Sequence, residues 1–184
     1  AGNANFRDSE RRAQSAADAG EPFLGIGVSG GEEGARFGPS IMGGGPRAAW
    51  DHVAPILTAI AADYDGIACA TWMGQGGAGH FVKTVHNGIE YAEMQLLAEV
   101  YAVLSHQMSY PEMALLFEEW NKGPEASYLL EISAKILLKK EGNDYVVDLI
   151  LDNAGSKGTG MWSTNSALAL GEVNNMMSSA LFSR

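Results

Sequence analysis

A glycine-rich break, Gly74-Gln-Gly-Gly-Ala-Gly79, divides this chain into two kinds of sequence. Before it, short apolar runs alternate with helical patterns, as in an α/β unit. After it, from His80 onward, every segment reads as helix. A chain written this way cannot close into one uniform sheet or one uniform bundle. The spacing therefore predicts an α+β protein, mostly α, with a boundary that separates residues 1–76 from residues 77–184.

In the first part, Asn5 to Ala19 reads as a helix that Gly20 stops. Pro22 to Gly27 reads as a short buried strand. Gly25-Ile-Gly27-Val-Ser-Gly30 then satisfies G-x-G-x-x-G, a weak signal alone, because a dinucleotide loop needs a helix directly behind it. The glycine-rich run up to Pro39 predicts no good helix there, so this loop is expected to bind no pyrophosphate. Ser40-Ile-Met reads as a strand. Pro46 to Ala62 reads as an amphipathic helix with the stripe Trp50, Val53, Ile56, Leu57 and Ile60. Ile67 to Met73 reads as the last strand.

In the second part, residues 79 to 106 form one long helix by pattern. Ser109 caps the next, which continues through Met113 to Trp120. Ser127 to Lys140 and the apolar run from Asp144 to Asn153 follow. Two closing helices between Met161 and Arg184 part near Gly171.

The long helix carries the chemistry. Lys83, His86, Asn87 and Glu90 fall at i, i+3, i+4 and i+7, with Tyr91 at the edge of their stripe. Val82, Val85, Ile89, Ala92 and Leu96 fall on another stripe, spaced for burial. One face packs; the other offers an amine, an imidazole, an amide, a carboxylate and a phenol, a set able to bind a polar molecule and move protons. An ordinary solvated face is the simpler explanation, but it mixes Glu and Lys rather than five chemistries. Lys83 lies among apolar neighbours, where desolvation favours the neutral amine that a general base needs. His52, His80 and His106 make no metal-like spacing with His86, and no metal is proposed.

Charge and composition narrow the classes. The net charge of −10 and pI of about 4.7 argue against nucleic acid and against a basic membrane-binding surface. An anionic substrate then has to be met by a few local cations. A single cysteine, Cys69, allows no intrachain disulfide and fits a reducing, cytoplasmic setting. No apolar run is long enough to span a membrane.

Three strings carry a resemblance that extends from Asn3 to Arg184. They are Gly77 to Leu96, Val28-Ser-Gly-Gly-Glu-Glu-Gly-Ala-Arg36 with Phe37-Gly-Pro-Ser40, and Ala154-Gly-Ser-Lys-Gly-Thr-Gly160 with Trp162. In this order they resemble the 6-phosphogluconate dehydrogenases (decarboxylating). The resemblance implies the end of a Rossmann-like cofactor domain, here a remnant of an α/β nucleotide-binding domain, followed by the first part of an all-α substrate and dimerisation domain. It implies a chain truncated at both ends and incomplete for catalysis alone.

The family reaction oxidises 6-phosphogluconate with NADP and releases carbon dioxide and ribulose 5-phosphate, in the pentose phosphate pathway and in gluconate utilisation. By resemblance Lys83 is the general base and Glu90 the general acid. Ser29, Gly30, Gly31, His86, Asn87 and Tyr91 bind the sugar acid, and Lys157, Thr159 and Arg184 its phosphate. Asn3 lies between cofactor and sugar. Met161 stands where the family often has a lysine. A homodimer is the implied assembly. Two other readings stand beside this one: a non-catalytic binding or dimerisation module, and another β-hydroxyacid dehydrogenase, against which Lys157, Thr159 and Arg184 argue.

Overall fold

The computed structural model describes residues 2–184. In chain order its elements are α1 (Phe6–Asp18), β1 (Gly25–Ser29), α2 (Gly31–Phe37), β2 (Ser40–Gly44), α3 (Arg47–Ile60), β3 (Asp63–Tyr64), β4 (Ile67–Ala68), β5 (Ala70–Gly74) and α4 (Ala78–Leu104). They continue as α5 (Tyr110–Trp120), α6 (Tyr128–Leu138), β6 (Lys140–Glu141), β7 (Asp144–Tyr145), α7 (Val146–Leu149), α8 (Thr159–Leu170) and α9 (Asn175–Phe182). The fold is mostly helical, with a small sheet, as the pattern predicts. Two compact units emerge: the chain up to Gly88 with Lys157–Asn174, and Ile89–Ser156 with Asn175–Arg184.

The first unit is built on a three-stranded sheet of order β1-β2-β5. β1 runs antiparallel to β2, with Gly25 opposite Gly44 and Ser29 opposite Ser40. β2 runs parallel to β5, with Ile41 opposite Ala70. Ile41 and Met42 are buried, and the Trp50 ring of α3 lies so close over Gly43 that any side chain there would overlap it. Asn5 caps α1 by accepting from the Arg7 backbone N–H.

The second unit has a core of Met113, Ala114 and Phe117 from α5 and Leu130, Ala134 and Leu137 from α6, with Leu97, Val100, Tyr101 and Leu104 of α4 packed on it. Phe117 is only 2% exposed, and truncating such a ring to Ala costs about 3–5 kcal/mol. Ser109 and Glu112 form a reciprocal capping box at the start of α5, and the Ser127 hydroxyl caps α6 by accepting from the Leu130 N–H.

Several expectations are corrected. A seven-residue helix, α2, does follow Gly30. Gly30 and Gly31 adopt positive φ to start it, Glu32 and Glu33 complement its first turn and Arg36 its last, and it stops at Gly38 just before Pro39. The first strand starts at Gly25, later than Pro22. The run from Asp144 is not a helix throughout: β6 and β7 form a hairpin across Gly142, at φ 61°, and only one helical turn, α7, comes after it. The helical second part is therefore not wholly helical, and a second hairpin, β3–β4, splits the strand expected from Ile67 to Met73.

A further correction concerns α4. Ile89 and Leu96, placed on its packing stripe, are 56% and 46% exposed, whereas Lys83, Thr84, Asn87 and Tyr91 are buried. Helical periodicity gives the stripe but not its direction, and here the polar residues face inward. The α3 stripe behaves alike: Trp50 is buried, and Ile56 and Ile60 are exposed.

Candidate functional site

The first turn of α4 is seated unusually deep on the sheet. A Cβ at Gly27 would lie 2.6 Å from the Gly79 carbonyl oxygen and 2.7 Å from the Lys83 Cβ. A Cβ at Gly25 would lie 3.2 Å from His80 Nδ1. Alternate glycines on one face of β1 thus admit the helix that carries Lys83. These are the first two glycines of the G-x-G-x-x-G string, so the space a dinucleotide would need is filled by protein.

One hydrogen-bonded group forms in the first unit around His86. Its Nε2 lies 3.2 Å from the Ser29 hydroxyl, at the end of β1. Its Nδ1 lies 3.4 Å from Lys83 Nζ and 3.0 Å from Asn87 Oδ1. Asn87 Nδ2 in turn donates to Thr159 Oγ1 at 3.2 Å, at the start of α8. Lys83 is 5% exposed, Thr159 5% and Asn87 9%.

Imidazole Nδ1 cannot serve both neighbours at once. With Lys83 as an ammonium, Nδ1 accepts its proton and Nε2–H donates to Ser29. In the other tautomer Nδ1–H donates to Asn87 Oδ1. The two tautomers of His86 thus suit different neighbours.

Gly30 and Gly31, beside Ser29, are exposed at the start of α2, with φ of 136° and 58°. Lys157 is exposed in the loop ahead of α8, and Asn3 is exposed before α1.

In the second unit, Tyr91 is 8% exposed and its ring lies under the Arg184 guanidinium, 3.9 Å from the centroid. Arg184 also donates to the Gly155 carbonyl, 3.1 Å from Nη2 and 3.3 Å from Nε. Glu90 is half-buried on α4, two helical turns beyond Lys83. Sequence reasoning missed the role of Gly25 and Gly27 as a seat, although two glycines two residues apart in a strand are a signal of close backbone approach.

The comparisons agree with one another. Residues 79–184 match the family described as 6-phosphogluconate dehydrogenase, C-terminal domain, and residues 1–74 the NAD binding domain of 6-phosphogluconate dehydrogenase. The decarboxylating 6-phosphogluconate dehydrogenase of Lactococcus lactis subsp. cremoris is 51% identical over all of this chain and 40% of its own length. That of Shigella boydii is also 51% identical, with 42% of its length covered. The Plasmodium falciparum 6-phosphogluconate dehydrogenase, solved apo, with NADP+ and with 6-phosphogluconate, superposes with a TM-score of 0.94 at 43% identity, over 99% of this chain and 40% of that one. A Salmonella typhimurium 3-hydroxyisobutyrate dehydrogenase, at 19% identity and TM-score 0.72, shares the fold. The chain spans about 40% of the length of the 6-phosphogluconate dehydrogenases it matches. On the match of both its parts, in order, this chain belongs to the 6-phosphogluconate dehydrogenase family.

Proposed function

We propose that this chain carries the sugar-acid side of an NADP-dependent oxidative decarboxylation of 6-phosphogluconate to ribulose 5-phosphate. The observation that carries the reading is the buried group Lys83–His86–Asn87–Thr159 with Ser29, a set of donors and acceptors rare on a helix face unless they meet a polar ligand. In this reading Lys83, as the neutral amine, takes the proton of the substrate hydroxyl being oxidised. Loss of carbon dioxide leaves an enediol, and Glu90 protonates its carbon. Ser29, Gly30, Gly31, His86, Asn87 and Tyr91 hold the sugar acid, while Lys157, Thr159 and Arg184 take the phosphate. A homodimer and a cytoplasmic setting belong to the same reading.

The described residues do not fit NADP by themselves. Gly25 and Gly27 are covered by α4, and Asn3 is exposed ahead of α1. The chain alone therefore binds the sugar acid and turns nothing over, which unites the enzyme reading of the family with the binding-module reading of this chain.

The test is calorimetric titration with 6-phosphogluconate and with gluconate, alongside NADPH absorbance. Binding of the phosphorylated acid is expected, weakened about ten- to hundredfold in Thr159→Ala or Lys157→Ala, with no NADPH formed. Equal affinity for both acids would remove the phosphate assignment, and NADPH production by the bare chain would overturn the division of labour.

A further inference from the structure

We propose that His80, bonded to Ser9, is a positioning residue that sets the depth and angle of Lys83. The imidazole and the hydroxyl are both buried, 5% and 0% exposed, and Ser9 Oγ lies 2.6 Å from His80 Nδ1. Neither residue belongs to the hydrogen-bonded group around His86.

His80 and Lys83 are three residues apart on α4 and face the same strand. Gly25 of β1 lies opposite His80 and Gly27 opposite Lys83. A helix turn held against two points of a strand has its rotation and its depth both fixed, and Lys83 shares the turn with His80. The glycines set how close the helix comes; the Ser9–His80 bond sets where it stops.

Helix α1 supplies the outer half of this clamp. Beside Ser9, the Glu10 carboxylate accepts from the Gly77 backbone N–H at 2.7 Å, and the Phe6 ring meets Phe81 edge-on at 5.0 Å. The Ser9 hydroxyl is also 3.2 Å from the Asn5 carbonyl. When it donates there, Nδ1–H donates to Ser9. The short bond at Nδ1 is the closest polar anchor of the imidazole, and the Ile26 carbonyl adds a weaker one. Burial lowers the His80 pKa and keeps the ring neutral.

The test follows the Lys83 amine directly, by its ¹³Cε shift against pH in uniformly labelled protein without ligand. Lys83→Arg identifies the resonance. The proposal uses the reading of Lys83 as proton acceptor, but this titration does not need substrate, so failure of that reading leaves the measurement intact. Ser9→Ala keeps a good helix residue in α1 and removes the bond. The Lys83 midpoint is expected to move by at least about half a unit. His80→Asn keeps an amide group near the Nδ1 position and is expected to restore the wild-type midpoint, as long as Ser9 is present. A Lys83 titration unchanged in Ser9→Ala, with only the melting temperature lowered, would make the pair merely structural and overturn the proposal. A midpoint displaced as far in His80→Asn as in Ser9→Ala would overturn it equally.

Discussion

At the scale of single residues, His80 shows how burial turns an ordinary histidine into a pH-sensitive one. Its pKa falls below the ordinary 6.5, first through burial and also through Arg12, with the Ile26 carbonyl opposing. Across from it stand Ser9 and Arg12 on α1; Lys83 lies a turn further along α4. A depressed folded pKa means the unfolded chain binds the proton more readily. The stability owed to the neutral ring is complete above pH 6.5 and is lost as the pH falls from there toward the lowered folded value. Thermal melts are expected to show that loss in the wild type and a flatter acid side in His80→Asn; parallel curves would contradict it. At this scale the sequence was legible in kind and not in direction. Lys83, His86 and Asn87 were readable as one stripe, and they do bond to one another. That this stripe is the buried one was not readable, because Ile89 and Leu96 have the same periodicity and more apolar area. The winner was set by Ser29 and Thr159, which come from distant parts of the chain to satisfy polar groups that would otherwise be costly to bury.

At the scale of elements, caps were legible and short elements were not. Ser109 was readable as the cap of α5, and in the structure its N–H and its hydroxyl both donate to the Glu112 carboxylate. Those bonds hold the Glu112 carboxyl below its ordinary 4.5. The sign is again that of a depressed pKa: the cap is at full strength above 4.5 and weakens as the pH falls through the lowered value. Glu112→Gln, which accepts without titrating, is expected to lose less of its melting temperature than wild type between about pH 6 and pH 3. Identical losses would mean that the carboxylate adds nothing to the cap. By contrast α2 and the β6–β7 hairpin escaped a reading by pattern. A seven-residue helix holding two glycines at its start and middle has too little periodicity to register. The hairpin turns on Gly142, whose positive φ is visible only in the fold.

At the scale of the whole molecule, exposed apolar residues recur at regular spacing along α4. Ile89, Leu96 and Val103, seven residues apart on α4, are 56%, 46% and 68% exposed. A stripe that long on one helix is spaced like an interface rather than like scattered surface residues. It supports the proposed homodimer. Sedimentation at micromolar concentration is expected to show dimers or larger species, and Leu96→Glu with Val103→Glu to shift them toward monomer while the helical signal stays. A monomeric wild type would count against the interface. No helix among the described residues is long and apolar enough to cross a membrane, so the stripe is not a span.

The seat under α4 has a consequence for how such a chain can vary. Gly25, Gly27 and Gly79 touch no ligand in the proposed chemistry, yet a single methyl at Gly27 or Gly79 would collide with backbone. Backbone cannot step aside as a flexible side chain does. Geometry alone therefore bars a side chain at Gly27 and Gly79, whatever the rest of the surface becomes. Invariance here would be mistaken for nucleotide chemistry by anyone who reads the glycine spacing without the helix that fills it.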